Sequence, residues 1–189
     1  MRPPSDIHRV IMSRRTIHRF RPEPVPEHSI ERALQAAVRA PNHKLTNPWR
    51  FLRLGAHSRE RLAEIARRLQ EQKLGAPLDP EQAARLRAKL LGPPALLVCA
   101  QVRDPDPLRA EEDYAACACA CYAFMLALWA EGIGSRWSTG ALSRAPQTLE
   151  LLGLEPERER IVALIWIGYP EAVPQTPRRP LAELVRRLP

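Results

Sequence analysis

Three separated stretches of this chain gather polar groups that the apolar segments around them do not require. The first, Ser13-Arg14-Arg15-Thr16, sets two adjacent guanidiniums beside a hydroxyl, and such planar, bidentate donors suit a phosphate. Arginines at the end of a helix also complement its dipole, so a purely structural role fits the same residues. The second, "RAPNHKLTNPWRF" from Arg39 to Phe51, offers Asn42, His43 and Asn47 on a backbone stiffened by Pro41 and Pro48. These groups match the edge of a polar ring system, although a loop held by its own hydrogen bonds has the same composition. The third, "GSRWSTG" from Gly134 to Gly140, has glycines that let a backbone lie against a flat ligand, with Ser138 and Thr139 adding hydroxyls and amides.

No other arrangement competes for the chemistry. Ser138, Ser143 and the cysteines have no assignable histidine and acid partners, and the chain carries no GxSxG, Walker or spaced metal motif. No GxGxxG follows a strand early in a βαβ unit, which removes the dinucleotide fingerprint. Phosphate-seeking groups without a reactive side chain point to a bound cofactor that carries the chemistry.

Composition narrows the partners. The formal net charge is +8 and the pI about 10.0, but the excess is spread as Arg among Glu, with no block of like charges. The four tryptophans do not alternate with basic runs, so nucleic-acid binding is not expected and a phosphorylated small molecule uses the arginines better. Cys99, Cys117, Cys119 and Cys121 read as reduced thiols: on a helix Cys117 and Cys121 share a face while Cys119 points elsewhere, which favours small-residue packing over a metal site. The N-terminus has charges on both sides of a very short apolar stretch and does not read as an export signal, so a cytoplasmic protein is expected. Tyr114 to Ala130 carries no charge, yet its Ala and Cys make a poor lipid-facing surface. Such a helix reads as buried on every side, with a second subunit closing over one face.

The elements that position these stretches follow from periodicity. A helix is expected after Ser5 and Asp6, a proline-rich loop through Pro22, Pro24 and Pro26, and a second helix from Glu27 with an apolar stripe of Ile30, Ala33, Leu34, Ala37 and Val38. "WRFLRL" reads as a strand and Ser58 to about Lys73 as a helix. Pro80 to Leu91 is a helix with Asp79 and Gln82 as a capping box. "PPALLVCAQV" reads as a buried strand, "DPDPLRAEED" as an exposed crossing and Glu111 to Glu131 as a long central helix. "GIGSRWSTGAL" reads as a loop, "APQTLELLG" as a short helix, "IVALIWIGY" as a central strand and "PLAELVRR" as a helical turn or two. With 45% hydrophobic residues in 189 positions, one core and a single domain spanning 1–189 are expected, of class α+β.

Arg14-Arg15-Thr16 with Phe20 and "PVP", then "APNHKLTNPWRF", "GIGSRWSTGAL", "IWIGYP" and "PRRPLAELV", resemble in order and spacing the FMN-dependent nitroreductase family. The match spans nearly the whole chain and looks closest to short members with a Pro-Asp/Asn-His-Lys … Pro-Trp-Arg-Phe loop. The resemblance implies an α+β fold with a mixed or antiparallel central sheet flanked by helices, in a homodimer whose two FMN sites are built from both subunits. It implies ping-pong transfer of reducing equivalents from NADH or NADPH, through flavin N5, to a small acceptor such as a nitroaromatic or quinone. By position it assigns Arg14, Arg15 and Thr16 to the FMN phosphate and ribityl chain, with Arg178 and Arg179 closing on that phosphate. Arg39 and His43 would reach the flavin from opposite subunits, Asn47 would sit near its pyrimidine edge, and Trp137, Ser138 and Thr139 would lie along it. No side chain need act as a catalyst.

The sequence departs from the family at Thr16, usually Ser, at Asn47, often Gln, and at His18. Many members place Lys or Arg at the position of His18, facing the flavin pyrimidine, and histidine makes that charge depend on pH. Two rival readings accompany the resemblance. One is a flavin enzyme of this fold for dehalogenation, enone reduction or flavin fragmentation, with residues 55–94 selecting the substrate. The other is a flavin-storage or basic nucleic-acid-binding protein without turnover.

Overall fold

The protein is described by a computed structural model over residues 6–188. Ser5, read as part of the first helix signal, lies outside the described residues. The elements are α1 (Asp6–Ser13), α2 (Glu27–Ala37), β1 (Trp49–Arg53), α3 (Ala56–Leu74), α4 (Pro80–Leu91), β2 (Ala95–Val102), α5 (Pro107–Ala130), β3 (Gly134–Ser138), α6 (Ala141–Arg144), α7 (Pro146–Leu151) and β4 (Glu159–Gly168). The four strands pair antiparallel in the order β1-β2-β4-β3, which makes the fold α+β with a central antiparallel sheet.

Alternation along β2 and β4 divides the core in two. Leu97 and Cys99 with Ala163, Ile165 and Ile167 pack against α2 and α5, while Leu96 and Val98 with Leu164 and Trp166 pack against α3 and α4. Both faces are covered, which is why these central strands read as continuous apolar runs. The capping box of α4 forms as expected, with Asp79 accepting from the Gln82 N–H at 2.8 Å and Gln82 accepting from the Asp79 N–H at 3.3 Å.

Two expected elements differ. "DPDPLRAEED" is not a crossing: α5 starts at Pro107, because Asp106 accepts from the Leu108 N–H at 3.0 Å and proline occupies the first helical position. "GIGSRWSTGAL" is not a loop, since Gly134–Ser138 forms edge strand β3 against Gly168–Leu164 of β4. Backbone pairing with a long central strand overrides the low strand propensity of its glycine and serines. The closing "PLAELVRR" keeps only a short 3-10 turn at Leu181–Glu183.

Helix α5 is long and apolar enough to span a bilayer by length and composition, but eight of its residues are buried, among them Cys117, Cys121 and Phe124. Burial on every side is not achieved by this chain alone. Tyr114 is 37% exposed, Tyr122 40%, and Ala115 and Cys119 are also open, so one stripe of α5 faces outward.

An ion pair ties α2 to the end of α5. Arg32 donates to both oxygens of Glu131 at 2.9 and 2.8 Å, and with a smaller contribution from Ser29 this holds the Glu131 carboxyl at about 2, below its ordinary 4.5. The folded-state value is the lower one, so this stabilisation is complete above the unfolded value and is lost as pH falls from 4.5 through 2. Urea midpoints measured across that window should fall less steeply for Glu131→Gln than for the wild type. A residual slope should remain from Glu64, held at about 2 by Arg67 and Arg68.

Candidate functional site

The chain leaving α1 runs along the free edge of β3. The Ile17 N–H donates to the Ser135 carbonyl at 3.0 Å, Thr16 bridges Ser135 in parallel, and Phe20 bridges Pro170. This approach depends on Gly134, where an added Cβ would lie 2.6 Å from Ile17 Cγ1. Ile17 is fully buried, and its neighbours Thr16 and His18 are left on the wall of a cavity of about 660 Å³.

That cavity is framed by three further walls. Residues Arg136 to Thr139 form one, Leu164 and Trp166 of the sheet face another, and Leu69, Leu74, Leu86 and Leu90 of α3 and α4 a third. Gly140, next after Thr139, has a φ of 118°, which a residue with a Cβ rarely adopts. Thr16, His18, Trp137, Ser138 and Thr139 are therefore brought together as the sequence suggests. The Ser138 hydroxyl, however, accepts from Trp166 Nε1 at 2.8 Å and donates to the Leu164 carbonyl at 3.3 Å, so it braces the sheet face.

The paired arginines divide their work. Arg15 donates to the Met12 carbonyl at 2.8 Å and the Arg14 carbonyl at 3.0 Å, which caps the end of α1. The half-buried side chain of Arg14 has no hydrogen-bond partner among the described residues.

The loop after α2 stands apart from the cavity. Asn42 donates to Thr46 at 2.9 Å and to Asp113 of α5 at 3.3 Å, Thr46 donates to Asp113 at 2.5 Å, and the Asn47 N–H donates to Asn42 at 2.7 Å. Asn47 also spends its amide on the Leu45 carbonyl at 2.8 Å. Its own hydrogen bonds thus hold the loop, and they sustain φ values of 54°, 53° and 48° at Lys44, Leu45 and Asn47. Arg39 and His43 are exposed there, and neither lines the cavity. Arg178 and Arg179 lie in the exposed C-terminal stretch, where Arg179 pairs with Glu183 at 3.3 Å.

Four polar residues of the cavity wall are absent from the sequence-based set: Gln70, Lys73, Lys89 and Arg136. Gln70 and Lys73 sit three apart on α3 and look like an ordinary solvated face. Arg136 left a signal, being a charged residue among "GS" and "W" in what proves to be a buried strand.

Residues 11–169 match the protein-family model described as the Nitroreductase family. The chain belongs to the nitroreductase family. A Bacillus subtilis (strain 168) protein named "Putative NAD(P)H nitroreductase YfhC" is 29% identical over 170 residues, covering 90% of this chain and 87% of that protein. The solved nitroreductase-like family protein of Bacillus cereus superposes with a TM-score of 0.86 at 28% identity, covering 100% of this chain and 98% of that one. A Desulfovibrio desulfuricans protein solved in complex with FMN superposes with a TM-score of 0.77 at 25% identity, covering 99% of both chains.

Proposed function

We propose that this nitroreductase-family chain is an FMN-dependent oxidoreductase that takes reducing equivalents from NADH or NADPH and passes them to nitroaromatic or quinone-like acceptors. The observation that carries the reading is the meeting of Thr16, His18 and the Trp137–Thr139 strip on one cavity of about 660 Å³. That volume falls in the usual range for cofactor sites, and the walls fit a flavin: the Trp137–Thr139 strip and a leucine-rich side. The name of the Bacillus subtilis relative and the FMN complex of the Desulfovibrio protein support the same cofactor and reductant.

Bound FMN would supply reversible two-electron chemistry at N5. Arg14 and Thr16 hold the phosphate end, Arg15 fixes the turn that presents them, and Arg178 with Arg179 approaches from the C-terminal stretch. The Trp137–Thr139 strip would hold the ring, and His18 would serve its polar edge. Arg39 and His43 would reach the flavin from opposite subunits, with Asn47 near its pyrimidine edge, in a homodimer docked on the open stripe of α5. In this reading the chain is one domain, 1–189, of the short nitroreductase type with the Pro41–Phe51 loop, and it is a soluble cytoplasmic protein. The leucine wall keeps water from the reacting edge.

Steady-state rates with NADPH and a quinone, each varied at several fixed levels of the other, should give parallel double-reciprocal lines, as expected when one substrate leaves before the next binds. Intersecting lines would contradict the exchange mechanism.

A further inference from the structure

The cations of the cavity lack counter-charges. Lys73 of α3, Lys89 of α4 and Arg136 of β3 all line it, and no Asp or Glu among the described residues does. Their neighbours behave otherwise: Arg67 and Arg68 on α3, and Arg85 and Arg87 on α4, are each paired with glutamates. None of the three lining cations joins an ion pair among the described residues. Arg136 is the most telling of them. It is only 9% exposed, its Nε is buried without a partner, and its guanidinium lies 5.4 Å from the Trp166 ring. Burial lowers its pKa, which is the mark of a charge removed from water, yet arginine keeps its proton in proteins. A guanidinium taken largely out of water with no carboxylate beside it is costly unless something outside the chain completes it.

We propose that Lys73, Lys89 and Arg136 form an anion subsite that selects planar second substrates carrying a carboxylate, sulfonate or phosphate group. The leucines of α3 and α4 receive the apolar ring, and the three cations receive its charged substituent. This rests on the flavin reading, in which Arg14 and Thr16 already serve the cofactor phosphate.

The test compares binding of 2-naphthoate and its neutral isostere 2-naphthamide by titration calorimetry to the protein as purified, whose absorbance spectrum is recorded first. The expected result is tighter binding of the carboxylate by about tenfold, the size of one charge-assisted contact. That preference should shrink as NaCl rises from roughly 50 to 500 mM. The Lys73→Met/Lys89→Met double variant, altered only at exposed positions, should lose most of the preference while keeping its affinity for FMN. Equal binding of the two probes, or a preference that survives the double variant, would overturn the proposal. A third arm measures FMN against riboflavin in Arg136→Met: if only the FMN advantage falls and the naphthoate preference stays, the cations serve the cofactor phosphate and the proposal fails. A protein that retains no flavin even after FMN is supplied would sink the cofactor reading instead, because the calorimetric comparison does not need the flavin.

Discussion

Gly134→Ala is expected to lower stability by about 2–3 kcal/mol and the melting temperature by roughly 4–12 °C, although it adds a single methyl group. The new Cβ would stand 2.6 Å from Ile17 Cγ1, 3.2 Å from Ile17 Cβ and 3.3 Å from the Gly168 carbonyl. Ile17 is fully buried and cannot swing into solvent, and the Gly168 carbonyl belongs to β4. Relief must therefore come from the segment Thr16–His18 moving off β3, and that movement carries Thr16 and His18 away from the cavity. FMN affinity should fall with stability in this variant. Ile17→Ala on its own should cost about 2–5 kcal/mol. In the double variant the two effects should fall short of additivity by about 0.5–3 kcal/mol, because the alanine methyl occupies space the isoleucine vacated. Strict additivity in a urea-denaturation cycle would show that the two residues do not meet as described.

Arg59→Met should also destabilise the fold strongly, at a site outside the cavity. Arg59 of α3 donates to the carbonyls of Leu91 at 2.9 Å, Pro94 at 3.0 Å and Leu90 at 3.5 Å, and to that of Pro93. One side chain thus satisfies the end of α4 and the turn into β2, where two prolines leave no backbone donors. Methionine keeps the apolar stem and leaves those carbonyls without their donor, at a cost of about 2–4 kcal/mol. The expected drop in melting temperature is roughly 5–15 °C. Arg59→Lys should fall between the two, since a single ammonium cannot span carbonyls that a forked guanidinium reaches together. A methionine variant melting with the wild type would show that water replaces the arginine at no cost.

What the sequence discloses depends on how local the signal is. The α4 capping box needs four consecutive residues and is legible; Asp106-Pro107 caps α5 without the reciprocal glutamine, and its surrounding charges disguise it as an exposed crossing. Strand β3 is not legible, because Gly134 and its serines are strand-forming only against β4. The candidate site follows the same rule. Thr16, His18 and Trp137–Thr139 lie in short motifs and converge on the cavity. Lys73, Lys89 and Arg136 come from three elements whose meeting is a property of the fold. Asn42 and Asn47 illustrate the reverse case, in which conspicuous polar residues are spent on Thr46, Asp113 and the loop's own backbone.

The central claim is that the cavity beside Thr16 and β3 holds a flavin that cycles between NAD(P)H and an acceptor. Its most direct test is one anaerobic cuvette: the visible spectrum of the purified protein supplied with FMN, then with NADPH or NADH, then with a quinone or nitroaromatic. The expected result is a protein-bound flavin band that bleaches on addition of the reductant and returns with the acceptor. A protein that retains no flavin after gel filtration, or a bound band that neither nicotinamide bleaches, would contradict it.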